Sequence, residues 1–143
     1  MTIGAIVERR RKDDIVTVGR ETAVRDVVAL LARRRIGAVP VMDGGRVIGI
    51  MSERDVIYGL QRDGAALLDR PVEQVMTAPA IAAPREMSLF SALALMTERR
   101  IRHLPVVEDG RMVGFVSIGD IVKMRIDRIE QEADAMRDYI QSS

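Results

Sequence analysis

The chain has 143 residues, 48% hydrophobic but only 3% aromatic, with no Trp, no Cys and one His (His103), and its 22 basic residues are offset by 21 acidic ones. That composition excludes disulfides, thiolate nucleophiles, Cys-ligated metals and two-His metal sites. It also argues against a nucleic-acid binder, which needs a basic surface and stacking rings. No run of about 18 apolar residues could span a bilayer, and the first residues carry no signal-peptide hydrophobic region, so a cytoplasmic chain is expected.

Taken in chain order, residues 1–14 read as an N-terminal segment. It has a small apolar stripe at Ile3, Ile6 and Val7, then a basic run of Arg9, Arg10, Arg11 and Lys12. A β-branched strand is predicted over 15–18. Val24, Val27, Val28 and Leu31 share one face of a helix, and Arg33, Arg34 and Arg35 suit its negative C-terminal pole. A strand over 38–42, a turn at Asp43, Gly44 and Gly45 and a strand over 47–51 predict a hairpin. A second helix opens near Glu53. Residues 61–75, with Gly64 and Pro71, read as a connector.

The same order then recurs. A shift of 65 residues places Pro40-Val41 on Pro105-Val106, Arg34-Arg35-Ile36 on Arg99-Arg100-Ile101, Gly45-Arg46 on Gly110-Arg111 and Gly49 on Gly114, without a gap. Ser52 falls on Ser117 and Asp55 on Asp120. The second copy predicts a weak strand over 80–83 and a helix face of Leu89, Ala92, Leu93 and Met96. Hairpin strands over 103–107 and 112–116 follow, and then a helix near Ile118. One copy of about 45 residues is near the lower limit for an independent core. The two are therefore expected to pack sheet to sheet as one pseudo-twofold unit. The organisation is 1–14 lead segment, 15–60 first repeat, 61–75 connector, 76–124 second repeat and 125–143 C-terminal helix extension.

The strongest chemical signal is Ser52-Glu53-Arg54-Asp55 and its counterpart Ser117-Ile118-Gly119-Asp120, each following an apolar strand and opening a helix. Ser at the N-cap with an acid three residues on is a variant of the capping box and stabilises a helix start without any ligand. The same N-terminus presents N–H groups to a phosphate, and a carboxylate can accept from two ribose hydroxyls. Both roles can coexist.

The run I-G-A-V-P-V-M-D…G-R-V-I-G-I-M-S-E-R-D-V, echoed by I-R-H-L-P-V-V-E-D-G-R-M-V-G-F-V-S-I-G-D-I, resembles two CBS (cystathionine-β-synthase-type) motifs in tandem, a Bateman module. The resemblance covers roughly residues 8–125, with Val75-Met76-Thr77 as the entry to the second motif. It implies an α+β fold of tandem βαββα repeats with pseudo-twofold symmetry, plus a long C-terminal helix. It also implies a stand-alone regulatory module rather than an enzyme. Two clefts between the copies would bind an adenosine-containing ligand: AMP, ADP, ATP or NAD(H), with S-adenosylmethionine less favoured. Asp55 and Asp120 would hold ribose hydroxyls, with Ser52 and Ser117 near ribose or phosphate. Val16, Ile36, Gly37 and Ala38 in one copy, and Thr77, Ile81, Ile101 and Arg102 in the other, would surround adenine. Arg54, Arg102 and His103 are the expected phosphate contacts, with their cleft left open; His103 has an equal bland reading as a hydrogen-bonded strand residue.

The copies differ where charge would be read. Arg54 aligns with Gly119, Gly37-Ala38 with Arg102-His103, and Lys12 with Thr77, so two unequal sites are expected. Past Asp120, Val122, Ile126, Ile129, Ala133, Met136 and Ile140 recur at spacings of four and three, a heptad-like seam. It suits a partner helix in a homodimer, the alternative being packing on the chain's own Ile3, Ile6 and Val7. The leading expectation is an adenosine-nucleotide sensor acting through its dimer or an effector protein. A nucleic-acid-binding accessory protein using the Arg9–Lys12 and Arg33–Arg35 runs is disfavoured by charge. A nucleotide-using enzyme lacks a phosphate loop, metal cluster or nucleophile–base pair. A dimerising scaffold with degenerate sites remains the other alternative.

Overall fold

The computed structural model describes residues 1–10 and 15–142; the basic positions Arg11 and Lys12, and with them the lead-in position aligned with Thr77, lie outside the described residues. The chain forms α1 (Ile3–Arg9), β1 (Val18–Gly19), α2 (Val24–Arg34), β2 (Ala38–Asp43), β3 (Arg46–Ser52) and α3 (Glu53–Asp63). After α3 come 3₁₀ turns at Gly64–Asp69 and Val72–Gln74. The second half supplies α4 (Leu89–Arg99), β4 (His103–Glu108), β5 (Arg111–Ser117) and α5 (Ile118–Ser142).

The hairpins match to the residue. Ala38 pairs with Ser52 and Asp43 with Arg46, as His103 pairs with Ser117 and Glu108 with Arg111. Each hairpin shifts register at the same place, between Val41 and Met42 and between Val106 and Val107, a β-bulge that twists the ribbon. The strands expected over 15–18 and 80–83 are much shorter. β1 is two residues, parallel to Val41 and Met42, and the second is a single parallel bridge from Ala83 to Val106. Pro79 and Pro84 frame the latter, and proline supplies no N–H for a ladder. The first sheet therefore has order β1-β2-β3 and the second β4-β5.

The helix faces expected from the apolar spacing are the faces that bury. Val24, Val27 and Leu31 of α2 and Leu89, Ala92 and Met96 of α4 enter two hydrophobic cores. Both helices end on an arginine in the left-handed region, Arg35 at φ 52° and Arg100 at φ 55°.

The cores are interleaved. Leu67 and Val72, fully buried residues of the segment expected as a connector, complete the first core beside Val39, Val41 and Met51. Ile3 and Ile6 of α1 complete the second, beside Leu104, Val116 and Ile121. Backbone bonds from Ile3 N–H to Met87 O (2.9 Å) and Gly4 N–H to Arg85 O (3.0 Å) fix α1 there. Each repeat is thus closed by the segment that precedes the other one. Two glycines make these crossings possible. A Cβ on Gly49 would sit 2.5 Å from Met76 Sδ and 2.9 Å from Thr77 O, and one on Gly114 would sit 2.5 Å from Val7 Cγ2.

α5 runs 25 residues, about 37 Å at 1.5 Å per residue. Only Ile121 and Met124 bury, against the core that holds α1. The seam residues Val122, Ile126, Ile129, Met136 and Ile140 stay 45–64% exposed. Packing on the N-terminal segment is therefore real, but it uses a different face of α5 from the heptad-like seam.

Candidate functional site

Each S-x-x-D opens its helix as a reciprocal cap. The Asp55 N–H donates to Ser52 Oγ (3.3 Å), while Asp55 Oδ2 accepts from the Ser52 N–H (2.9 Å) and hydroxyl (3.0 Å). At α5 the Asp120 N–H donates to Ser117 Oγ (3.1 Å) and the Ser117 N–H to Asp120 Oδ2 (2.7 Å). Capping therefore occupies Oδ2 in both copies and leaves Oδ1 for other work. A carboxylate offers about four acceptor positions, so the cap does not exhaust either aspartate.

Around Asp55 lies a cavity of about 600 Å³ between the two repeats, within the size range of small-molecule sites. Ser52, Arg54 and Asp55 reach it from the start of α3, and Gly37 and Ala38 from the start of β2. The second repeat contributes Thr77, Ile81, Ile101, Arg102 and His103. Thr77 is held by a reciprocal backbone pair with Ile50, both bonds 2.9 Å, and its hydroxyl donates to Asp55 Oδ1 at 2.8 Å. Arg54 donates to the Arg100 carbonyl across the cavity at 3.2 Å. Arg99 and Arg100 extend the cationic rim, and Ile50, Tyr58, Pro79 and Ala80 add apolar wall.

His103 is half-buried and stacks on Phe115, with centroids 5.4 Å apart and an interplanar angle of 14°. Burial pushes its imidazole below the usual histidine range; Asp120 and Glu53 pull the other way and Arg102 adds to the depression. In its neutral form an imidazole donates from one ring nitrogen and accepts at the other.

Four of the residues expected at the two ligand clefts do not line this cavity. Val16 packs, partly buried, against the first core, ahead of the short strand β1, which begins only at Val18. Ile36 lines a shallower cleft with Val28, Leu31 and Val56. Ser117 and Asp120 belong to the pseudo-equivalent position at the start of α5. There Asp120 Oδ1 is ion-paired with Arg10, whose guanidinium also donates to the Phe115 carbonyl at 3.2 Å. Sequence reading missed Arg99, Arg100, Tyr58 and Arg10 in these roles. The arginines read as solvated helix ends, Tyr58 follows Asp55 by three residues on one helix face, and Arg10 meets Asp120 only through the tertiary fold.

Among the described residues no cluster of three or more metal-ligating side chains occurs, and no helix is long and apolar enough to cross a membrane.

A CBS-domain family profile matches residues 6–62 and 72–127. The chain is 32% identical over 126 residues to the mitochondrial CBS domain-containing protein CBSX3 of Arabidopsis thaliana, a match covering 85% of this chain and 61% of that relative's length. A solved CBS-domain-containing protein of Agrobacterium tumefaciens superposes with a TM-score of 0.81 at 36% identity, covering 87% of this chain and 99% of the other. The structure of CBSX2 in complex with AMP superposes with a TM-score of 0.75 at 25% identity, covering 88% and 96%.

Proposed function

This chain belongs to the CBS-domain family, with two CBS domains in tandem, and from that premise we propose that the cavity at Asp55 is a regulatory adenosine-nucleotide site. The observation that carries the reading is a carboxylate oxygen outside the cap, Asp55 Oδ1, which accepts from the Thr77 hydroxyl and keeps further lone pairs, on an aspartate lining an inter-repeat cavity that is apolar on one wall and rimmed by arginines. Ribose hydroxyls would donate to Oδ1 beside the Thr77 hydroxyl. Adenine would lie against Ala38, Ile81 and Ile101, with the backbone at Gly37 and Arg102 near its edge. Phosphates would draw on Arg54, Arg102 and His103, joined by Arg99 and Arg100; guanidinium groups bind phosphate through paired N–H donors. The ligand class is AMP, ADP, ATP or NAD(H). The AMP complex of the structurally similar CBSX2 supports this class.

The output is read as regulation rather than catalysis. A ligand that bridges α3, β2 and the second repeat binds one arrangement of the halves better than another and shifts the population toward it. The exposed seam of α5 is the surface proposed to carry that change, as a homodimer contact or the contact with an effector. A narrow apolar stripe on a mixed-charge helix fits a partner helix.

The test is a calorimetric and thermal-shift screen of AMP, ADP, ATP, NAD⁺ and NADH. A ligand at about 100 times its dissociation constant should stabilise the fold by about 2.7 kcal/mol, and Asp55→Ala should abolish that shift. Absence of any shift across the set would overturn the nucleotide reading and leave a scaffold held by α5.

A further inference from the structure

We propose that Arg10 decides whether the second cleft takes ligand, by occupying the place on Asp120 that a ribose would otherwise fill; the inference rests on the nucleotide reading of the first cleft. The repeat makes the two aspartates comparable atom by atom. At Asp55, the backbone N–H of Thr77 bonds Ile50 O and the Thr77 hydroxyl bonds Asp55 Oδ1. Shifted by 65 residues, Ile50 becomes Phe115 and Asp55 becomes Asp120. There one guanidinium makes both contacts, Nη1 to Phe115 O and Nη2 to Asp120 Oδ1.

The substitution changes the chemistry. A threonine hydroxyl leaves the carboxylate its charge and its remaining lone pairs, and a ribose diol can add to it. A guanidinium neutralises the carboxylate with a charge-assisted bond, roughly twice as strong as a neutral one. A neutral diol must compete with that bond for the carboxylate.

The position of Arg10 is not incidental. It is the C-cap of α1, in an extended conformation. That helix is pinned by the buried Ile3 and Ile6 and by Val7 lying over Gly114. Arg9 lies 4.0 Å from Asp127 of α5, on the same side. The arginine is therefore delivered to Asp120 by a core-anchored helix. It is itself 43% exposed in its side chain, so its substitution removes the latch while leaving that core in place.

Titration calorimetry with AMP and with ATP tests this. The wild type should bind one ligand per chain, abolished by Asp55→Ala. Arg10→Gln should bind two, the added site strengthening at least about tenfold over any residual wild-type binding there, and adding Asp120→Asn should remove it again. Arg10→Lys keeps the charge but not the fork, so its second site should be weaker than that of Arg10→Gln; thermal unfolding of both variants reports that the fold is intact. A wild type with two equal sites, or an Arg10→Gln variant that still binds one, overturns the role of Arg10 alone. No binding by wild type or either variant overturns the nucleotide reading as well.

Discussion

Gly49→Ala tests the crossing that builds the candidate site. The new Cβ would lie 2.9 Å from Thr77 O and 2.5 Å from Met76 Sδ. The thioether can swing away, but the carbonyl belongs to a backbone held to Ile50 by two bonds of 2.9 Å. A carbon needs roughly 3.5 Å from such a neighbour, so Thr77 must retreat by about 0.6 Å. That stretches bonds of 2.9 Å to about 3.5 Å, where a hydrogen bond is largely lost. Two bonds at about 1 kcal/mol each, with about 1–3 kcal/mol of overpacking, are partly offset by water reaching the exposed Thr77. The expected loss is about 2–4 kcal/mol, read as a lower midpoint in urea unfolding with unchanged slope. Gly114→Ala meets first the Val7 side chain rather than backbone and should cost less. A Gly49→Ala variant within about 0.5 kcal/mol of wild type, a typical neutral surface change, would refute the claim that Thr77 is pressed onto β3.

Leu67→Ala should cost about 2–5 kcal/mol in the same assay, the range for a buried leucine, because Leu67 is fully buried in the first core. His103 should make stability fall as pH drops. Its folded pKa is depressed, so the unfolded chain takes up the proton first, near the ordinary value of about 6.5. The contribution is fully present above that pH, declines below it, and levels off once the folded state protonates as well. His103→Phe, which keeps a ring against Phe115, should flatten the profile of urea midpoints between about pH 7 and pH 5.5. The double variant Ile126→Glu, Ile129→Glu should lower the molar mass measured by light scattering and remove the concentration dependence of the unfolding midpoint while leaving the monomer folded, since both side chains are at least half exposed.

What the sequence makes legible is local. The helix faces of α2 and α4 follow from apolar spacing, the hairpins from β-branched runs around Gly turns, and the caps from Ser52/Asp55 and Ser117/Asp120. Each of these is decided within a few residues of chain. The interleaving is not: nothing local to Leu67 or Val72 distinguishes a core residue from an apolar residue in a connector, and the difference lies in tertiary packing, with Leu67 seated against Gly59. The cleft shows the same division. Asp55 and Arg54 announce themselves beside the cap, whereas Arg10 acquires its partner across 110 residues of sequence. On α5 the heptad-like seam is visible in the spacing, yet Ile121 and Met124, one step away around the helix, are the residues that bury.

The exchange of closing segments sets an order for synthesis. The first core can close once Leu67 and Val72 have been made, but Ile3 and Ile6, made long before, have no core until Met96, Leu104 and Val116 follow them. At about 5–20 residues per second, α1 waits several seconds as an exposed apolar stripe beside a half that has already folded. During that interval the nascent chain depends on whatever shields α1; a cut before Leu67 would strand each half without the piece the other one carries, and a cut after Val75 would strand the second half without Ile3 and Ile6.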